Sequence, residues 1–192
     1  MKILSVLCLV LCVCFVGACG IGGPAGLQGP QGPQGSPGPS GPVINFWYSP
    51  LASIAVGPAG PPSKVTVGPH CCPSTALKIT SNQIVADNDL QWVEFLLAVP
   101  DATIKGVKIH YQVKTGSPGS TYISQVRLTR MTTPDKALVI HDDPTNLTST
   151  TITSYTSAAN SKVEGTITLE LRIVIGNPGD SILLGGIMLL LE

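Results

Sequence analysis

The stretch that decides the fold runs from Val163 to Ile175 and reads Val-Glu-Gly-Thr-Ile-Thr-Leu-Glu-Leu-Arg-Ile-Val-Ile. Its odd positions are apolar or glycine, whereas its even positions up to Arg172 are Glu, Thr or Arg. Successive side chains of a β-strand point to opposite faces of the sheet. The alternation therefore predicts a strand with one buried face and one solvated face.

The same period of two recurs through the C-terminal part of the chain, at 93–99, 107–113, 124–131, 137–141 and 150–155. Turn signals such as Ser117-Pro118-Gly119 and Asn177-Pro178-Gly179 separate these segments. No segment shows an apolar stripe with the helical period of 3.6 residues. We therefore predict an all-β head over residues 64–192, a β-sandwich or jelly roll.

The last predicted strand, Ser181–Leu191, reads SILLGGIMLLL and is apolar on both faces. A strand of this kind has to be covered on both sides. Burial inside the sandwich and contact of its outer face with another subunit both satisfy this requirement, and both stay open here. The segment is too short for a transmembrane helix, which needs about 20 residues.

Residues 1–18 have the layout of a secretory signal peptide. A single cation, Lys2, precedes an apolar run from Ile3 to Val16, and the small residues Gly17 and Ala18 follow. The run is shorter than the roughly 20 residues that span a bilayer. The sequence therefore predicts an exported protein.

The four residues Val16-Gly17-Ala18-Cys19 resemble the lipobox of bacterial lipoproteins. The resemblance implies cleavage before Cys19, diacylation of its thiol and anchoring in a membrane, where two acyl chains hold stably. It further implies a place at the cell surface or outer membrane. An ordinary signal-peptidase cut at the same point would instead give a secreted chain with a free Cys19.

Residues 19–43 combine this cysteine with a collagen-like repeat. Glycine recurs at every third position for eight unbroken triplets, at Gly20, Gly23, Gly26, Gly29, Gly32, Gly35, Gly38 and Gly41. Only glycine fits at the axis of three intertwined polyproline-type chains, so a strict period predicts a triple-helical stalk. Eight triplets form only a short stalk, which needs a neighbouring trimer to hold the chains together.

Residues 44–63 are predicted to be a Pro/Gly-rich linker. The segment contains a second run, Gly57-Pro58-Ala59-Gly60-Pro61-Pro62, that is out of phase with the first. It also contains the aromatic cluster Phe46-Trp47-Tyr48. These rings either pack into the following domain or gather at a trimer axis, where aromatic side chains bury large areas.

The order of signal, collagen-like stalk and β head resembles two groups of proteins. One is the bacterial collagen-like surface proteins, and the other is the stalked C1q/TNF-like proteins, whose jelly-roll heads trimerise. The resemblance implies a homotrimer, with the chain as its own partner. Three heads on one stalk would raise the avidity for a repeated ligand.

The adjacent pair Cys71-Cys72 is expected to oxidise in an exported protein. A bond within the chain, links between chains and free thiols all remain open. The segment Gly68–Pro73 is similar to the cysteine knot of certain fibrillar collagens, which would imply interchain links. His70 adds a third donor, but three consecutive donors converge poorly on one tetrahedral ion, so no metal site is predicted.

Other function classes are disfavoured by the composition and motifs. Eleven Lys and Arg balance eleven Asp and Glu, which argues against nucleic-acid binding. No Gly-x-Ser-x-Gly, His-Glu-x-x-His or phosphate-binding glycine loop occurs, so neither an enzyme nor a cofactor is predicted. Asp87-Asn88-Asp89, and His141-Asp142-Asp143 with Asn146, offer oxygen ligands for Ca²⁺ but are typical of turns and loop tips.

The sequence thus predicts a non-enzymatic, membrane-anchored structural or adhesive surface protein. One alternative is a carbohydrate-binding module, for which Trp92, Tyr122 and Tyr155 are the candidate aromatic platforms. A secreted C1q-like recognition protein is another. In these cases the partner would be a glycan or a surface protein.

Overall fold

The computed structural model describes residues 41–51, 54–55, 63–70, 75–133 and 136–192. The chain divides into two units, Met1–Gly38 and Pro39–Glu192, and all described residues belong to the second. The predicted signal peptide, Cys19, the repeat glycines from Gly20 to Gly38, and the pair Cys71 and Cys72 lie outside the described residues.

The described part of the chain is all-β, as predicted from the sequence. Its strands are β1 Ile44–Tyr48, β2 Ile54–Ala55, β3 Thr66–Pro69, β4 Leu77–Thr80, β5 Trp92–Lys114, β6 Tyr122–Thr133, β7 Lys136–Asp143, β8 Thr153–Val174 and β9 Ser181–Leu191. One 3₁₀ turn occupies Asp87–Asp89. Within the described residues, no helix has the length and apolar character needed to cross a membrane.

All strand pairs are antiparallel, and the strand order is β3-β4-β9-β5-β8-β6-β7, with β1 also on β9 and β2 also on β5. The two long strands β5 and β8 serve two layers. Residues 104–114 of β5 and 153–163 of β8 join β1, β3, β4 and β9 in what we name the first layer. Residues 92–99 of β5 and 165–174 of β8 join β2, β6 and β7 in the second layer.

The passage between the layers lies at a bend shared by both long strands. The register of β5 against β8 shifts between Val99 and Ala102 and again between Ile104 and Gly106. Gly165, opposite Val99, has a φ of +84°, which a residue without a Cβ adopts at little cost. The sequence pattern predicts two separate strands, at 93–99 and 107–113. In the structure one bulged strand, β5, continues through Pro100 and includes both segments.

The core lies between the two layers and follows the predicted alternation. Val93, Phe95 and Leu97 point inward from the second layer, and Val107 and Ile109 point inward from the first. All five are fully buried, and each contributes on the order of 1.5–3 kcal/mol relative to an exposed position. The inner residues of β9 join the same cluster, so one face of this doubly apolar strand is covered by the core.

The sheet also includes β1 and β2, which lie within the range predicted as a linker. β1 pairs with the C-terminal half of β9, from Ile44 opposite Leu191 to Tyr48 opposite Ile187. The Tyr48 hydroxyl donates a hydrogen bond of 2.5 Å to the carbonyl oxygen of Ala98 on β5. The head of the protein therefore begins at β1, directly after the last Gly-X-Y triplet.

Candidate ligand-binding face

Trp47 stands on the outer face of the first layer. It pairs with Met188 on β9, whereas its neighbour Phe46 pairs with Leu189, which is a core residue. Because side chains alternate along a strand, Trp47 points away from the core. Its side chain is 61% exposed. Among the exposed aromatic side chains of the described residues, this is the highest value.

A glycine in β9, Gly186, makes room for this ring. A Cβ atom on Gly186 would lie 3.3 Å from Cζ3 of Trp47, so the indole occupies the space that a side chain there would fill. The ring stacks on His110 of β5, with 5.3 Å between centroids and 26° between planes. Since His110 pairs with Gly186, the indole reaches from β1 across β9 to β5, and its outer side faces solvent.

A groove of about 390 Å³ begins beside His110 on the same face. Its polar lining includes His70, Gln112 and Lys114, and its apolar lining includes Ile152 and Leu183. Gly185 forms part of the groove, and the absence of its side chain keeps the surface of β9 low at this point. Trp47 and the groove therefore meet at His110 and form one continuous surface.

The polar groups of this face include an amide held by a hydrogen bond and a histidine nitrogen without a partner among the described residues. The Gln112 Nε2 donates a hydrogen bond of 2.8 Å to the carbonyl oxygen of Thr150. This bond fixes the orientation of the side-chain amide, so its Oε1 points away from Thr150. His110 Nε2 is inaccessible to solvent and accepts or donates no hydrogen bond among the described residues. No Asp or Glu occurs among the described residues that line the groove. The face combines a flat apolar ring with hydrogen-bonding groups.

The three rings proposed from sequence as platforms lie elsewhere and apart from one another. Trp92, at the start of β5, is 7% exposed, and the Arg127 guanidinium lies 4.6 Å from its ring centroid. Tyr122 begins β6 and is half-buried. Tyr155 lies on β8 and donates a hydrogen bond of 2.7 Å to Asp143 Oδ2. None of these three lies on the groove of the first layer.

A second polar cluster contains a serine, a histidine and an aspartate at the end of β7. The Ser157 hydroxyl donates to Asp143 Oδ2, and His141 Nε2 lies 2.7 Å from Ser157 Oγ. With its proton directed to the carboxylate, Ser157 accepts from His141, which is the reverse of the polarity that activates a nucleophilic serine. Ser157 is also buried. The cluster therefore ties β7 to β8 and has no catalytic arrangement.

Asp143 is the most strongly perturbed acid of this cluster. Burial alone would raise its pKa, but hydrogen bonds from Ser157, Tyr155 and Thr145 outweigh burial and lower the pKa from 3.8 to about 2. A carboxylate that accepts several hydrogen bonds is stabilised in its charged form. Asp143 is thus a structural anion at neutral pH.

The aspartates considered from sequence as Ca²⁺ ligands are engaged in ion pairs and hydrogen bonds instead. Asp89 accepts from Lys64 Nζ at 2.7 Å, Asp87 lies 3.4 Å from Arg172, and Asp142 accepts from Gln125. Over the part of the chain that the structure describes, no three His, Cys, Asp or Glu side chains lie close enough to hold a metal ion.

The sequence pattern assigns Trp47 to a predicted linker, whereas the structure places it in β1 on the outer face of the sheet. The signal that was available is Gly185-Gly186 inside an otherwise large and apolar strand. Glycine within a strand often marks a close approach of another group. In this protein the group that approaches Gly186 is the Trp47 ring.

No known family pattern and no curated protein matches this sequence. Among solved structures, a native family 35 carbohydrate-binding module from Clostridium thermocellum has a TM-score of 0.47 at 10% identity, covering 76% of this chain and 97% of the other. A mutant of a family 29 carbohydrate-binding module has a TM-score of 0.45 at 10% identity, covering 78% and 92%. A family 36 module in complex with calcium and xylotriose has a TM-score of 0.41 at 12% identity, covering 75% and 97%. What this chain binds has therefore to be argued from its own side chains.

Proposed function

We propose that the β head is a glycan-binding domain, the non-enzymatic recognition part of an exported surface protein. One observation carries this proposal. The Trp47 indole lies over Gly186 and against His110, with its outer side exposed beside a groove of about 390 Å³.

A pyranose ring is complementary to such a surface. Its C–H face is flat and apolar and packs against an aromatic ring, while the hydroxyl groups at its rim donate and accept hydrogen bonds. The Trp47 ring offers the flat apolar contact, and Gln112 and Lys114 offer hydrogen-bonding groups in the adjoining groove. The volume of the groove lies within the range of small-molecule sites, about 300–1,000 Å³.

The absence of acidic groups from the described lining limits the kind of glycan. Carboxylates beside a groove would favour cationic ligands. Most glycoside hydrolases also use a pair of carboxylates for catalysis. This face instead carries Lys114, His70 and His110. Neutral sugars and sugars with a carboxylate or sulfate substituent fit the positive charge of Lys114, and binding without hydrolysis is the expected outcome.

The N-terminal segments support a surface location for this head. Val16-Gly17-Ala18-Cys19 and the eight triplets that follow are the features of an anchored stalk, so the proposed protein presents its head away from the membrane. Metabolic labelling with palmitate tests the anchor: the wild-type chain should incorporate label and Cys19→Ser should not. An unlabelled wild-type chain in the medium would identify the secreted form instead.

The glycan proposal is tested by an array of neutral and acidic glycans, followed by titration with the best binder. Trp47→Ala should weaken binding by about tenfold or more, as for a central aromatic contact. Gly186→Val should weaken it too, because a side chain there displaces the ring. Leu96→Ala, which removes an exposed apolar side chain from β5, is the matched control and should bind as wild type.

Two results contradict the proposal. One is an array on which the folded wild-type chain retains no glycan. The other is a Trp47→Ala variant that binds the same glycan with unchanged affinity.

A further inference from the structure

Strand β1 carries a second surface, on the side opposite Trp47. Ile44 and Phe46 pair with Leu191 and Leu189, which belong to the core, so both stand on the core side of the sheet. Nevertheless Ile44 is 56% exposed and Phe46 is 38% exposed. The apolar interior of the head therefore reaches the molecular surface along β1.

Exposed apolar side chains are concentrated around this strand. Five of the twelve large exposed apolar residues in the described part of the chain fall within nine consecutive positions, namely Val43, Ile44, Phe46, Trp47 and Leu51. No charged residue interrupts this segment. Single exposed apolar residues are ordinary, but a contiguous group of them marks an interaction surface.

The backbone of β1 is also open on one edge. Among the described strands, β1 pairs only with β9. An open edge beside exposed apolar side chains is prone to association with another chain unless a partner covers it.

The sequence immediately before β1 indicates what that partner is. The last triplet, Gly41-Pro42-Val43, ends one residue before the strand begins. Gly-X-Y triplets form a stable helix only when three chains wind together. Three chains that leave one triple helix are neighbours at that point, so three copies of β1 would begin side by side.

We propose that Val43, Ile44 and Phe46 form the seam of a homotrimer of heads. In this arrangement the open margin of each core is covered by the next copy of the same chain, in a closed ring of identical contacts. Trp47 points to the other side of β1 and stays open to ligand. The seam does not rest on glycan binding, because Ile44 and Phe46 lie on the opposite side of β1 from Trp47.

The test is the mass of the full chain in solution, measured by light scattering over a range of concentrations. Gly29→Ala together with Gly32→Ala interrupts the repeat, so the heads of this chain associate through the seam alone. We expect a trimer that dissociates reversibly on dilution. Adding Ile44→Ser and Phe46→Ser should raise the midpoint concentration of dissociation by about tenfold or more.

Two further variants keep the test decisive. Val43→Asp, outside the sheet, places three like charges at the seam and should also dissociate the trimer even if the double serine variant folds poorly. Leu96→Ser with Met131→Ser removes two exposed apolar side chains elsewhere and should leave the midpoint unchanged. Circular dichroism identifies variants that keep the β fold.

The proposal is overturned if the repeat-interrupted chain is a monomer or a dimer at every concentration. It is also overturned if folded Val43→Asp keeps the wild-type midpoint. A chain that forms the trimer but binds no glycan would refute the proposed function and leave the seam intact.

Discussion

The two tryptophans of the chain lie on the outer faces of the two layers, but Trp92 is buried and Trp47 is exposed. Trp92, on the second layer, lies beneath Arg127, which is 3.5 Å from Asp142 and 3.8 Å from Glu170. Trp47, on the first layer, lies over a glycine and is 61% exposed. Because side chains alternate between the two faces of a strand, both rings lie outside the core. Side chains of the neighbouring strands then determine that Trp92 is covered and Trp47 is exposed.

This difference shows how a sheet face becomes a binding face. On the second layer, Arg127 of β6 lies over the ring and pairs with Glu170 of β8. On the first layer, Gly186 leaves the space that the Trp47 ring fills, so this ring is supported from below and exposed above. Gly185 lines the groove beside it. An aromatic ring supported in this way needs little rearrangement before it contacts a ligand, which lowers the cost of binding.

The largest expected contrast is in stability. Trp92→Ala should reduce the free energy of unfolding by about 3–5 kcal/mol, as for other buried large-to-small changes. Trp47→Ala should cost less than about 1 kcal/mol, because its ring is mostly exposed. Urea unfolding followed by circular dichroism measures both values, and equal losses would remove the distinction between the two rings.

A smaller effect is expected when the cover of Trp92 is removed. Arg127→Ala should lower the free energy of unfolding by about 1–2 kcal/mol, mostly through the lost cation–π contact, since the ion pairs at this surface are weak. In a Trp47→Phe background, the emission of Trp92 should shift to longer wavelength as water reaches the ring. Arg130→Ala, a cation further along β6, is the control, and an unchanged emission in Arg127→Ala would contradict the covering role.

The pH dependence of stability should follow Asp143 rather than the binding face. Because hydrogen bonds outweigh burial and lower its pKa from 3.8 to about 2, its stabilising contribution is complete above about pH 4 and is lost as pH falls through 2. Allowing for solvent screening, Asp143→Asn should cost about 1 kcal/mol at neutral pH.

Urea midpoints measured between pH 2 and pH 7 check this expectation for Asp143. The wild type and Asp143→Asn should converge at the acid end, and a gap that stays constant with pH would refute the linkage. The groove has no carboxylate among its described lining residues, so glycan affinity of the folded protein should not follow this titration.

The smallest effect concerns Glu94, which pairs with Glu170 on the outer face of the second layer. Burial first, and then the charge of Glu170, raise the pKa of Glu94. Glu94→Gln should therefore stabilise the protein by about 0.2–1 kcal/mol at neutral pH. The gain should disappear in acid, where wild-type Glu94 is protonated. Thermal melts at both pH values measure it, and a lower melting temperature of the variant at neutral pH would contradict the repulsion.

Much of the fold could be predicted because alternation is a local signal. The inward rows of β5 and β8 can be read from consecutive residues, and the structure buries them as expected. The continuity of β5 could not be predicted in this way, because Pro100 and Asp101 are typical of the end of a strand. The strand continues because β8 bends at the same level through Gly165, and that match depends on residues distant in sequence.

The candidate site was less predictable for the same reason. A sequence shows that Trp92 is aromatic and alternates outward, but it does not show that Arg127 from another strand lies over the ring. Likewise, the meaning of Gly186 depends on Trp47, from the other end of the head. Secondary structure depends mostly on residues that are close in sequence. Whether an aromatic ring is exposed depends on side chains that are distant in sequence and close in space.

The position of β1 has a mechanical consequence for a tethered molecule. The chain enters the head at Val43, and Trp47 follows only four residues later in the first strand. In the proposed anchored protein, tension between a ligand on that ring and the N-terminal anchor would be transmitted along a single short segment. The sandwich behind it carries little of the load, so a pull that strips β1 from β9 would release the ligand while the remaining strands stay folded.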